Sequence, residues 1–182
     1  MYDSEGTAST IYRKIHLFDV DLSERDERNR ESAAMDIGRD LVVVPSSVGQ
    51  LGLSICYDLR FPELYRRLVD FGSTIFSIPA AFTATTGNAH WHSLLRARAN
   101  ENLAYVVAAG QHGTHPGDRT TFGHSMIVDP WGDVIAELAV GDGVAAADLD
   151  TTMPDRLRAE FPVLEHRRIA PLRNEQGQDG IE

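Results

Sequence analysis

The sequence predicts a mixed α/β fold, with strands and helices layered in one domain. Three observations carry this prediction. Apolar runs at residues 41–44, 51–55, 73–78 and 104–110 read as buried strands. Helical segments at 62–71 and 89–103 fall between the later runs, the alternation that builds α/β layers. Turn-separated strand pairs add antiparallel neighbours, so the sheet is mixed rather than purely parallel. No repeat and no linker divides the chain. Residues 1–168 read as one unit, and 169–182, rich in Gly, Gln, Asn and Asp, as a flexible tail.

The elements follow in order. Residues 2–6 read as a turn, and Ser9, Thr10, Ile11 and Tyr12 as a short strand. A chain that opens on a turn into a strand is expected to lack the strand on the turn's other side. Residues 19–40 are dense in charge and predict a solvated loop with a short helical turn. The runs at 41–44 and 51–55 are expected to pair as a hairpin through Gly49. The helix at 62–71 has proline in its first turn and Gly72 at its end. The strand at 73–78 should stop at Pro79, which lacks the N–H that a ladder uses. Asn88 is the expected N-cap of the helix at 89–103. Residues 125–128 and 134–138 are strands joined by Asp129-Pro130-Trp131-Gly132-Asp133, strong turn chemistry. A further strand is expected at 144–149, and a late helix at 151–161 with Thr152 and Asp155 in a capping pattern.

The bulk numbers narrow the function classes. The 182 residues are 42% hydrophobic and carry a formal net charge of −10. Nucleic-acid binding needs a basic face, which an acidic chain with scattered arginines does not offer. No apolar run approaches the length of a membrane span. The polar opening Met1-Tyr2-Asp3-Ser4-Glu5-Gly6 predicts no secretory leader. One cysteine permits no internal disulfide and fits a reducing, cytoplasmic compartment.

That cysteine is the most informative residue. Cys56 ends the run Leu51-Gly52-Leu53-Ser54-Ile55, and the helix follows it. A thiol at a strand-to-helix turn lies near the positive end of the helix dipole, which favours thiolate and hence a nucleophile. The plainer reading is a buried structural thiol. Lys14 sits among Ile11, Tyr12, Ile15, Leu17 and Phe18, an apolar setting in which a fixed ammonium can stabilise a thiolate and an oxyanion.

The string Tyr12-Arg13-Lys14-Ile15-His16-Leu17-Phe18-Asp19, followed by Gly52-Leu53-Ser54-Ile55-Cys56-Tyr57-Asp58-Leu59-Arg60-Phe61-Pro62-Glu63, resembles the nitrilase superfamily of carbon–nitrogen hydrolases. Gly87-Asn88-Ala89-His90-Trp91, Leu95-Arg96-Ala97-Arg98-Ala99 and Gly123-His124-Ser125-Met126-Ile127-Val128-Asp129-Pro130-Trp131-Gly132 extend the resemblance. It leans toward the branch of deaminated-glutathione amidase and omega-amidase. It implies an α-β-β-α sandwich with mixed sheets, here incomplete at the N-terminus, and a homodimer. It also implies hydrolysis of a small primary amide, with no organic cofactor and no metal. On this resemblance Cys56 is the nucleophile, Lys14 the catalytic lysine and Glu31 the second glutamate. The Tyr57 N–H is an oxyanion donor.

The family's general-base glutamate lies well before the lysine motif, and Glu5 is the sole glutamate upstream here. The chain is therefore expected to be the C-terminal part of such a domain, with impaired activity. Asp58, Arg60 and Glu63 are read as a charge cluster holding the start of the helix. Phe82, Thr86 and Gln111 are candidate pocket residues. His90 and His92 face apart on a helix, and His112 and His115 lie in a loop, so no converging metal set is expected. The family commonly carries an acidic residue where His92 stands. Two other readings remain open: a Cys–His hydrolase with His90 or His124 as base, and a non-catalytic binding or assembly subunit.

Overall fold

A computed structural model describes Tyr2, residues 5–8, 10–22 and 27–169. Ser9 and the expected tail from residue 170 onward lie outside the described residues. Among the described residues the strands and α-helices are β1 Asp19–Leu22, β2 Glu27–Arg30, β3 Val43–Ser46, β4 Gly49–Leu53, α1 Pro62–Asp70, β5 Ile75–Ala80, α2 Ala84–Asn102, β6 Tyr105–Gly110, β7 His112–Thr114, β8 Thr120–Phe122, β9 Ser125–Val128, β10 Val134–Leu138 and α3 Met153–Glu160. Six strands form one sheet in the order β10-β9-β6-β5-β4-β3. The β4–β5 and β5–β6 pairs are parallel, and the others in the sheet are antiparallel. The sheet is mixed, as the sequence predicts.

Register places Gly52, Phe76, Val106 and Val128 in one row and Ile78, Ala108 and Met126 in the next. Apart from Gly52, these side chains form the core together with Leu64, Tyr65 and Leu68 of α1 and Trp91, Leu95 and Ala99 of α2. Burying each large side chain contributes about 1.5–3 kcal/mol. The opposite face carries Leu51, Leu53, Ser77 and Val107, all half-buried.

Several expectations need correction. Thr10, Ile11 and Tyr12 are not a strand; the only pairing described nearby is a bridge from Tyr2 to Ala8. The charged stretch at 19–40 holds the β1–β2 hairpin and the 3-10 turn Glu31–Ala33. Its register sets Asp19 against Arg30 and Asp21 against Arg28, opposite charges that support the ladder on its exposed face, while Val20 and Leu22 are half-buried. β5 runs through Pro79 because β4 pairs only as far as Leu53–Ser77, which leaves that side of Pro79 without a strand to satisfy. Helix α2 begins a turn earlier than expected: Thr83, not Asn88, is its N-cap, and the Thr83 hydroxyl accepts from the Thr86 N–H. Residues 144–149 form no strand, and Val144 is 86% exposed. Thr152 precedes α3 but makes no capping bond; its hydroxyl donates to Asp150 at 2.6 Å.

Candidate active site

Cys56 follows β4 and opens the 3-10 turn Cys56–Arg60. Its φ of +51° lies in the left-handed region, which a side chain adopts when its surroundings hold it there. The fully buried Asp58 carboxylate supplies that hold. Its Oδ2 accepts from the Ile55 N–H at 2.9 Å and the Tyr12 hydroxyl at 2.7 Å. Its Oδ1 accepts from the His16 N–H at 2.9 Å and lies 2.8 Å from His16 Nδ1. One carboxylate thus joins the turn carrying Cys56 to the segment carrying Lys14. Burial and Asp58 push the Tyr12 phenol far up, so its hydroxyl stays a donor.

Lys14 is fixed through both backbone and side chain. The Gly38 N–H donates to the Lys14 carbonyl at 2.8 Å. A Cβ on Gly38 would stand 2.0 Å from the Arg13 carbonyl oxygen, so the two segments meet this closely only through glycine. The Lys14 side chain is 9% exposed, and its ammonium donates to Glu31 Oε2 at 2.5 Å. The same oxygen accepts from the Phe18 N–H at 2.8 Å. A buried ammonium needs such a partner, and a charge-assisted bond also fixes its direction. Lys14 is the only lysine and Cys56 the only cysteine in the chain.

The Cys56 thiol registers these neighbours. Burial pushes its pKa up most strongly. A backbone hydrogen bond from Ala81, the Lys14 ammonium and a bond from the Tyr57 backbone pull it down, while Glu31 raises it. The net direction is upward, so the thiol is neutral at rest. The expected thiolate is corrected here: the element after Cys56 is a short 3-10 turn, and burial outweighs the positive groups.

The other candidates are distributed as follows. Asp58 pairs with His16, not with Arg60. The Arg60 guanidinium lies over the rings of Tyr57 and Phe82, at 5.8 and 5.4 Å from their centroids, and 3.3 Å from His90 Nδ1. Glu63 is exposed in the first turn of α1, where a carboxylate suits the helix dipole. The expected three-residue charge cluster therefore does not form. Phe82 is buried against Trp91, with ring centroids 4.8 Å apart. Thr86 is buried with its hydroxyl 2.8 Å from the Thr83 hydroxyl. Gln111 is exposed, and its N–H donates to Ala80. His92, read as lacking converging partners, meets His124 and Glu137.

Tyr12 and His16 escaped the sequence reading. Their pairing with Asp58 spans 46 and 42 residues, which no local pattern signals. Glu27 escaped too; its Oε2 accepts from the Thr83 hydroxyl at 3.1 Å, tying the β1–β2 hairpin to the start of α2. A separate surface cleft lined by Arg66, Trp131, Phe161 and Val163 shares no residue with the Cys56 site.

Residues 1–158 match the carbon–nitrogen hydrolase family. Over 92% of its length the chain is 48% identical to deaminated glutathione amidase of Dictyostelium discoideum, covering 58% of that protein. Deaminated glutathione amidase of Yersinia enterocolitica is 45% identical over 93% of the chain, which spans 59% of it. The crystal structure of the C. elegans NitFhit protein superposes with a TM-score of 0.85 at 46% identity, over 92% of this chain and 40% of that one. A mutant of the amidase from Nesterenkonia sp. AN1, with acrylamide added to its active site cysteine, gives 0.70 at 29% identity, over 88% of this chain and 59% of that one. The chain thus spans less than two thirds of these relatives. Matched from residue 1 to 158 in sequence and across its fold in structure, it belongs to the carbon–nitrogen hydrolase family of the nitrilase superfamily.

Proposed function

We propose that this chain carries the nucleophile, lysine and orienting glutamate of an amidase acting on a small primary amide through a cysteine thioester. The observation that carries this reading is the arrangement of Lys14: a buried ammonium, held by Glu31, whose charge acts on the Cys56 sulfur. In the proposed reaction the Cys56 sulfur attacks the amide carbonyl and a C–S bond forms. Lys14 and the Tyr57 N–H stabilise the oxyanion. The C–N bond then breaks and ammonia leaves with the proton taken from the thiol. Water adds to the thioester, releasing the acid and returning the thiol. The amidase of Nesterenkonia sp. AN1, with its adduct on an active site cysteine, supports this role for the only cysteine here.

Glu31 supports an orienting role, since Oε2 is engaged by Lys14 and by the Phe18 N–H. Because burial raises the Cys56 pKa, the attack needs a base to take the thiol proton. The 182-residue polypeptide on its own is therefore expected to release ammonia slowly from primary amides. The dimeric assembly and cytoplasmic setting expected from the sequence belong to the same proposal.

An activated ester removes the demand on the leaving group and tests the nucleophile directly. p-Nitrophenyl acetate should give a burst of nitrophenolate and an acetyl group on the Cys56 peptide by mass spectrometry. The burst should vanish in Cys56→Ser and slow about a hundredfold in Lys14→Met. Acetylation that persists in Cys56→Ser, or is untouched in Lys14→Met, would overturn the reading.

A further inference from the structure

We propose that His92, His124 and Glu137 form a second, independent site: a divalent transition-metal site of the zinc type, on the surface where α2 meets the β9–β10 hairpin. Each residue offers one ligand atom, and the three atoms lie within 4.8 Å of one another. Glu137 Oε1 is 2.5 Å from His124 Nδ1 and 3.0 Å from His92 Nε2. Ligands about 2.0–2.2 Å from a tetrahedral zinc ion are roughly 3.3 Å apart, so small side-chain rotations admit the ion. Two imidazoles and one carboxylate with open positions for water are a donor set that zinc accepts.

The scaffold holds the ligands before any ion arrives. They come from three separate places: helix α2, the residue before β9, and strand β10. His124 has a φ of +53°, a conformation that needs support in a residue with a Cβ. The buried Trp91 supplies it by donating from Nε1 to the His124 carbonyl at 2.8 Å. The His124 N–H donates to Ala139 at 3.0 Å from the other side. Phe122 stacks on the His124 ring at 4.1 Å and 21°, which restricts its rotation. Glu137 is set opposite Met126 by the β9–β10 register. The His92 side chain is 41% exposed, so an ion reaches the cluster from solvent.

Without metal, the carboxylate accepts hydrogen bonds from both rings. The ion would replace those two protons and join the same three atoms. The cluster shares no residue with Cys56, Lys14 and Glu31, so it stands whether or not the amidase reading does.

The test uses the full chain carrying Cys56→Ser, so that the thiol cannot bind the probe. Co2+ titration followed by visible absorption, and Zn2+ titration by calorimetry, should each saturate at one ion per chain. Affinity should fall at least about tenfold in His92→Ala and in Glu137→Gln, and stay unchanged in His166→Ala, an exposed histidine elsewhere. Circular dichroism checks that each variant is folded; His92, whose side chain is partly exposed, supplies the test should Glu137→Gln unfold. No saturable uptake, or equal uptake in folded His92→Ala and Glu137→Gln, would overturn the proposal.

Discussion

At the scale of single residues, the behaviour of Cys56 follows from the competition between burial and positive charge. Its pKa is raised above the ordinary thiol range of about 8.5. Alkylation by iodoacetamide should therefore be slow at neutral pH and climb through the alkaline range, with the midpoint above that of a free thiol. Removing the Lys14 ammonium removes a lowering influence, so Lys14→Met should move the midpoint higher still. A midpoint near that of histidine would point to an imidazolium partner instead. The same shift bears on stability. The folded state holds the thiol proton to higher pH than the unfolded state does. This contribution is complete below the unfolded pKa and disappears as pH rises through the folded one. Denaturant midpoints measured against pH should thus show a shallower alkaline loss in Cys56→Ser. Asp58 makes a second prediction. Its carboxylate accepts from two backbone N–H groups and the Tyr12 hydroxyl. Asp58→Asn puts an amide donor against those donors and should lower stability by about 3 kcal/mol in urea unfolding. Tyr12→Phe, which removes one bond, should lower it by about 1 kcal/mol.

At the scale of elements, the sequence was most legible where apolar runs were long. The strands at β5, β6 and β9 and the helix α1 fall within a residue or two of expectation, because their buried faces dictate them. The first turn of α2 was not legible. Ala84, Thr85, Thr86, Gly87 and Asn88 include poor helix formers, and no local pattern favours a helix there. The Thr83 cap and close packing against β8 win instead. A Cβ on Gly87 would lie 2.3 Å from the Phe122 Cβ. Gly87→Ala should therefore destabilise the protein by about 1–3 kcal/mol despite alanine's better propensity, read as a lower thermal midpoint. The β1–β2 hairpin was illegible for the opposite reason: charged residues dominate its strands, and only Val20 and Leu22 supply an apolar side. Residues 144–149 carried enough apolar side chains to read as a strand, but among the described residues no strand pairs with them.

At the scale of the whole molecule, the mixed α/β class was open to reading because strand and helix periods alternate along the chain. Cys56 and Lys14 stood out in the sequence as candidates, while the Asp58 carboxylate that joins their two segments read only as a helix-start charge. Its partners Tyr12 and His16 are 46 and 42 residues away in sequence. The His92, His124 and Glu137 cluster was hidden likewise, since Glu137 stands 45 residues from His92. Topology, not spacing, assembles both. Among the described residues, no helix is long and apolar enough to cross a membrane.

A side-chain amine and a thiol that each occur once in the chain make this fold chemically addressable. A short bifunctional reagent with one thiol-reactive and one amine-reactive arm should bridge residues 14 and 56 and nothing else between side chains. Tryptic mapping of the bridged peptides would then act as a molecular ruler for Lys14 and Cys56 in solution. Failure to bridge, with the thiol modified but the lysine untouched, would show that the two groups are not neighbours.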